Sequence, residues 1–217
     1  MAPHLLIVSA SGEELGGLLP TGGARRRLIG ISGAPGAGKS TLAGYVAERL
    51  GARGAHVPMD GFHLADVELE RQRLRDRKGA PETFDAFGYA ALLGRLRDRP
   101  EHTVYAPGFD RDLEQPLAGA IAVQSSVEVV VTEGNYLLLD RPGWRAVRAT
   151  LDEVWHVRVD EEVRVERLVA RHVEFGKSPD AARSWVERVD GPNAVLVEAA
   201  AEGADRLLDL SSWMRRD

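Results

Sequence analysis

The 217-residue chain contains no cysteine and, of 28 basic residues, only three lysines. Without cysteine there is no disulfide, no thiolate metal site and no cysteine nucleophile, and a reducing compartment is the natural expectation. Aromatic residues make up only 6% and the net charge is −5, so there is no basic excess of the kind that nucleic acids or other polyanions select. No apolar run approaches the roughly 20 residues that span a bilayer, and the opening "MAPHLLIVSASGEE" lacks the basic start and long apolar centre of a secretory signal. A cytoplasmic protein with a small-molecule partner, and with neither membrane nor nucleic acid, is therefore expected; monomer and homodimer both stay open.

What is present is a balanced globular composition, 44% apolar and 28% charged, in a length ordinary for one α/β domain. All three lysines, Lys39, Lys78 and Lys177, adjoin a glycine. In a chain that otherwise chooses arginine, a lysine marks a place where a compact point charge is wanted in place of a planar fork.

β-rich runs alternate with helical patterns. Strands are predicted at Leu28–Ser32, Ala55–Met59, Val127–Glu133, Val154–Asp160 and Arg206–Leu210, with a weaker one at Thr103–Ala106. Helices are predicted at Lys39–Leu50, ended by Gly51; at Ala86–Asp98, with Asp85 as N-cap; and at Glu161–Phe175, Pro179–Val189 and Asn193–Glu202. This alternation predicts a parallel sheet covered by helices on both faces. Residues 1–24, with Gly pairs at 16–17 and 22–23, read as a loose N-terminal segment ahead of a domain over 25–217.

The densest signal is "GAPGAGKST". Gly33, Ala34, Pro35, Gly36, Ala37, Gly38, Lys39 and Ser40 match G-x-x-x-x-G-K-S/T, follow an apolar strand and open a helix, which is the context a P-loop requires. Backbone N–H groups here would wrap the β-phosphate of a nucleoside triphosphate, Lys39 would bridge β- and γ-phosphates, and the Ser40 hydroxyl would ligate Mg²⁺, with Thr41 next in the loop–helix junction. A dinucleotide-binding loop is excluded, because Gly36-x-Gly38 would need glycine where Thr41 stands.

Two strand ends decide what happens to the terminal phosphate. In an open parallel sheet the carboxyl ends of the strands face one crevice. "VPMDGFH" delivers Asp60 there, a carboxylate able to accept the proton of an attacking hydroxyl. "VVVTEGNY" delivers Glu133, placed to hold Mg²⁺ or its water. Arg164, Arg167 and Arg171 recur at i, i+3 and i+7 ahead of the Gly176–Lys177 loop and read as a lid; Arg167 and Arg171 are the candidate cations for the moving phosphoryl group. Asp110 and Arg111 are either acceptor contacts or a locally paired turn, and His63 is either a substrate contact or a packed side chain. The basic stretch "LERQRLRDRK" reads as a solvated face, and Trp144, Trp155 and Trp185 as apolar mass.

Together these residues resemble the P-loop kinase family that contains uridine kinase, phosphoribulokinase and bacterial pantothenate kinase. "DGFH" at 60–63, "RKGAPETFD" at 77–85 and "VTEGNYLLL" at 131–139 carry the likeness, and "RHVEFGKSPDAA" and "DGPNAVLV" are similar to the nucleoside/nucleotide-kinase-like, fructose-transport-system-kinase-like members. The resemblance covers about residues 27–210. It implies a five-stranded sheet of order 2-3-1-4-5, Mg-ATP as donor, a hydroxyl-bearing acceptor (nucleoside, sugar or pantothenate-like), Asp60 as base, Glu133 near the metal, and Pro192 and Asn193 beside the adenine. Two patterns depart from it: Phe62-His63 stands where uridine kinases carry a tyrosine, and the asparagine–tyrosine set that grips pantothenate is not evident in the C-terminal third. The rival reading is a P-loop ATPase or nucleotide switch acting on a protein partner.

Overall fold

The computed structural model describes residues 3–19 and 25–213. In chain order it comprises β1 (His4–Ile7), α1 (Glu13–Gly16), β2 (Arg27–Gly33), α2 (Lys39–Leu50), β3 (Gly54–Pro58), α3 (Asp66–Gln72), α4 (Ala86–Arg97), β4 (Val104–Asp110), β5 (Gln115–Val123), β6 (Val129–Glu133), α5 (Pro142–Thr150), β7 (Glu153–Arg158), α6 (Glu161–Glu174), α7 (Pro179–Trp185), α8 (Gly191–Ala199) and β8 (Arg206–Asp209).

The main sheet has six strands in the order β1-β8-β7-β2-β6-β3, every pair parallel. β2 and its neighbour β6 lie inside the sheet and bury almost every residue, as expected for near-continuous apolar strands covered on both faces. On one face Leu92, Leu93 and Leu96 of α4, Trp144 and Val147 of α5 and Val197 of α8 pack on Leu28, Val130 and Val154. On the other, Leu42, Val46 and Leu50 of α2 pack on Ile29, Ile31, Val131 and Val157. Arg26, fully buried just before β2, donates to the carbonyls of Val127, Leu96 and Gln124 at 2.9, 3.0 and 2.8 Å, so its charge is satisfied by dipoles, one of them at the negative end of α4.

The five predicted strands keep their predicted order, with one strand added. His4–Ile7 is not a loose segment: it pairs with Arg206–Asp209 as a sixth, edge strand. Its apolar run, Leu5 to Ile7, is mostly exposed along the sheet edge. Gly22 and Gly23 lie outside the described residues. The weak strand at 103–106 is half of a separate antiparallel ribbon, β4–β5, which stands beside the sheet. The predicted Pro179–Val189 helix is α7 followed by a π-helical turn, Val186–Asp190.

Candidate active site

The loop between β2 and α2 is shaped by its glycines at two points in particular. Gly36 has φ +83° and lies so close to α6 that a Cβ would stand 2.8 Å from the Arg164 carbonyl oxygen. Gly38 caps α2 with φ +91°, a left-handed conformation, which leaves the first N–H groups of the helix pointing into the crevice. Arg164, 4% exposed, clips the loop from outside: its guanidinium donates to the Pro35 carbonyl at 3.1 Å and takes Glu161 in a two-pronged pair.

Lys39 begins α2 and is buried, its Nζ donating to the Ala34 carbonyl at 3.0 Å. Burial depresses its pKa from 10.5 to about 8; the Glu133 and Asp60 carboxylates oppose that shift, and Arg171 and Arg164 add to it. Ser40 donates to Glu133 Oε1 at 3.0 Å. Glu133, at the end of β6, is buried too, which by itself raises its pKa. His56 Nε2, 3.8 Å away and beyond hydrogen-bond reach, outweighs burial together with the Lys39 charge and holds the carboxyl below its ordinary range. These two hard-oxygen donors suit Mg²⁺, which takes one or two protein ligands and fills its octahedron with phosphate oxygens and water.

Asp60 lies in a 3-10 turn, Met59–Phe62, directly after β3. Its Oδ2 accepts from Arg111 at 3.0 Å, and its backbone carbonyl meets His63 Nδ1 at 3.0 Å. His63 is wedged between Phe84 and Phe109, ring centroids 3.9 and 4.9 Å away, and also borders the cavity. Burial lowers its pKa in spite of the Asp60 carboxylate and carbonyl. Asp110 is otherwise engaged: its Oδ1 accepts from the Asp112 and Leu113 N–H groups at 3.0 and 2.9 Å, holding the β4–β5 turn. Arg111, one residue on, joins Phe109 in bringing the ribbon to the site.

Two cavities flank the P-loop. One, of about 380 Å³, opens between Lys39, Asp60, Glu133, His172 and Asn193. The other, of about 490 Å³, lies between Gly38, Thr41, Arg167, Leu210 and Trp213. Arg111 and Arg171 border both. Arg167 is exposed and Arg171 half-buried; burial, then the neighbouring Arg111 charge, lowers the Arg171 pKa.

The structure thus brings Lys39, Ser40, Asp60, His63, Arg111, Glu133 and Arg171 together. It separates the two residues expected beside adenine: Asn193 faces the Asp60 cavity, while Pro192 is exposed at the start of α8 and borders neither cavity. Asn193 lies in the first turn of α8, which begins at Gly191. Sequence reasoning passed over Trp213, Leu210 and Asp190, each delivered to the site by an element distant in the chain. The basic stretch at 69–78 is mostly paired on the surface, Arg71 with Glu68 and Arg77 with Glu82. Trp144 and Trp155 are core residues, whereas Trp185 borders the first cavity.

A central parallel sheet, a complete P-loop and converging strand-end carboxylates define a P-loop kinase. Residues 29–184 match the profile of a family described as an AAA domain. A Schizosaccharomyces pombe protein provisionally named a uridine kinase is 34% identical over 80% of this chain and 79% of its own length. An Aspergillus versicolor ATP-dependent kinase-like protein is 40% identical over 57% of this chain and 76% of its own. Among solved structures, a Silicibacter sp. TM1040 protein provisionally described as a fructose transport system kinase superposes with TM-score 0.79 at 41% identity, covering 89% of this chain and 94% of that one. The chain belongs to the family of uridine-kinase-like P-loop kinases represented by these relatives.

Proposed function

We propose that the protein moves the γ-phosphoryl group of Mg-ATP to a hydroxyl of a small acceptor, of nucleoside, sugar or pantothenate-like type. The observation that carries this reading is the convergence of Lys39, Asp60 and the Ser40–Glu133 pair on one cavity, with Arg111 and Arg171 shared between that cavity and the one behind the P-loop.

In this reading the base of ATP occupies the second cavity, against Arg167, Leu210 and Trp213, and the triphosphate runs along the P-loop to Lys39. The acceptor occupies the first cavity. Its hydroxyl hydrogen-bonds to Asp60, which accepts the proton as the oxygen attacks phosphorus in line. Lys39, the α2 N-terminus, Arg171 and Arg167 face the charge that spreads over the transferred group. Ser40 and Glu133 would hold Mg²⁺, whose contribution is to neutralise the β- and γ-phosphate oxygens. Residues 25–217 would form the catalytic domain, with β1 completing its sheet, in a cytoplasmic protein that uses neither nucleic acid nor membrane; no helix among the described residues is long and apolar enough to cross a membrane.

The rival, an ATPase that drives a protein partner, draws support from the AAA-domain match. The 380 Å³ cavity beside Asp60 favours transfer, because it gives a small acceptor a place to stand. Incubation with Mg-ATP and a panel of nucleosides, sugars and pantothenate, read by product mass, tests the choice. A phosphorylated acceptor supports the kinase; ATP loss without one, stimulated by a protein, supports the ATPase.

A further inference from the structure

The cavity that holds Asp60 has a second polar wall for which the transfer chemistry has no use. Asp190 ends the π-helical turn and Asn193 follows three residues later in the first turn of α8, so their side chains leave one face of the chain. Asp190 is 8% and Asn193 9% exposed, and both border the cavity. Asp190 commits one oxygen only: Oδ2 lies 2.9 Å from His172 Nε2. Among the described residues Asp190 Oδ1 and the Asn193 amide have no hydrogen-bond partner. The two side chains are largely buried while their free polar atoms open on the cavity side by side, where the polar groups of a ligand can reach both.

The wall is held in place from behind. Lys177 Nζ is 3.4 Å from His172 Nδ1, and an ammonium can only donate, so Nδ1 accepts and the Nε2–H is directed at Asp190. Lys177 also sits 4.9 Å from the centre of the Trp185 ring, which borders the same cavity. Three consecutive contacts therefore fix the Asp190 carboxylate and leave Oδ1 to the cavity.

A carboxylate oxygen takes donors only, whereas an amide both donates and accepts. Two adjacent hydroxyls satisfy both groups at once: one donates to Asp190 Oδ1 and its neighbour exchanges hydrogen bonds with Asn193. At this wall an anionic group meets the Asp190 carboxylate, so any anionic part of the acceptor belongs on the opposite side, where Arg75, Lys78 and Arg111 border the cavity, and an apolar group leaves both side chains unpaired at a cost. The Trp185 indole offers an apolar face to the carbon skeleton between hydroxyls.

We propose that Asp190 and Asn193 form a diol-recognition wall, and that the acceptor is a polyhydroxylated molecule presenting two adjacent hydroxyls to that wall while a further hydroxyl meets Asp60. This rests on the reading of the first cavity as the acceptor site.

The test uses the full chain with Mg-ATP and matched acceptors: uridine against 2′-deoxyuridine, methyl D-ribofuranoside against methyl 2-deoxy-D-ribofuranoside (ring-locked, so that the deoxy sugar has no adjacent hydroxyls), D-fructose, and pantothenate, which has no adjacent hydroxyls. Wild type, Asp190→Asn and Asn193→Ala are compared by product mass and steady-state kinetics. The expected result is phosphorylation of a diol-bearing acceptor with its deoxy analogue used about 10- to 100-fold less well, which separates a free sugar from a nucleoside ribose as the source of the diol. Asp190→Asn, which can still accept from His172, is expected to raise the acceptor KM about 10- to 100-fold, to leave the ATP KM within about twofold and to erase the preference for the diol. Product from pantothenate alone, equal use of the deoxy analogues, or an unchanged preference in Asp190→Asn overturns the diol wall and leaves the kinase intact. No product from any acceptor while ATP is hydrolysed overturns the kinase reading and the wall with it.

Discussion

Asp60 and Arg111 form an ion pair at 3.0 Å, so the carboxylate proposed here as the base is already held by a cation from the neighbouring β-ribbon. Because Arg111 also borders the cavity behind the P-loop, the guanidinium that orients Asp60 lies between the two cavities proposed for acceptor and nucleotide. Removing it costs both that orientation and a positive charge near the transferred group. Arg111→Ala is expected to lower kcat by about 10²-fold with the ATP KM changed only a few-fold, and Arg111→Lys, lacking the planar fork, to recover part of the loss. Steady-state kinetics in ATP and in acceptor separate the two effects; an unchanged kcat in Arg111→Ala removes Arg111 from the reaction.

Lys39 gives a pH dependence. Its folded pKa is about 8 and its ordinary value 10.5, and a triphosphate calls for the charged form. Above pH 8 nucleotide binding must take up a proton, so ATP affinity is expected to be flat below about pH 7 and to fall about tenfold per pH unit above 8. Calorimetry in buffers of different ionisation enthalpy reads that proton directly. For the free protein the direction is opposite: between about pH 8 and 10.5 the unfolded chain binds this proton and the folded chain does not, so stability rises with pH across that window. Lys39→Met is expected to abolish ATP binding while raising the melting temperature at pH 7.

Arg164 acts on the loop and not on the phosphates. Its hydrogen bond to the Pro35 carbonyl and its nearly complete burial make Arg164→Ala a loss of about 1.5–3 kcal/mol, visible in thermal or urea unfolding. The ATP KM is expected to rise as the loop loosens, with the acceptor KM little changed.

The parts of this architecture written in local sequence were legible. The predicted helix Lys39–Leu50 coincides with α2, because its apolar stripe and flanking glycines are contiguous in the chain. Asp85 caps α4 as expected, its side chain accepting from Gly88 N–H at 2.8 Å. β5 escaped notice because most of its residues face solvent and it pairs only with β4, so no alternation marks it. α5, nine residues at Pro142–Thr150, is absent from the predicted helices although its Trp144 and Val147 share one buried face. At the site, the P-loop is a local motif and could be read, and strand ends are predictable meeting points. The Asp190–His172 contact joins residues 18 apart across a π-helical turn, and Trp213 reaches the P-loop from the far end of the sheet; neither relation has a spacing that sequence reveals. Which cavity Asn193 borders is likewise set by the packing of α8, which a resemblance in residue type does not specify.

The most direct test of the transfer chemistry is Asp60→Asn, which keeps the size of the side chain and removes its capacity as a base. Single-turnover formation of phosphorylated acceptor, measured beside ATP affinity, is expected to slow by about 10²- to 10⁴-fold while ATP binds within a few-fold of wild type. Transfer at the wild-type rate would contradict the assignment of Asp60 as the group that takes the acceptor's proton.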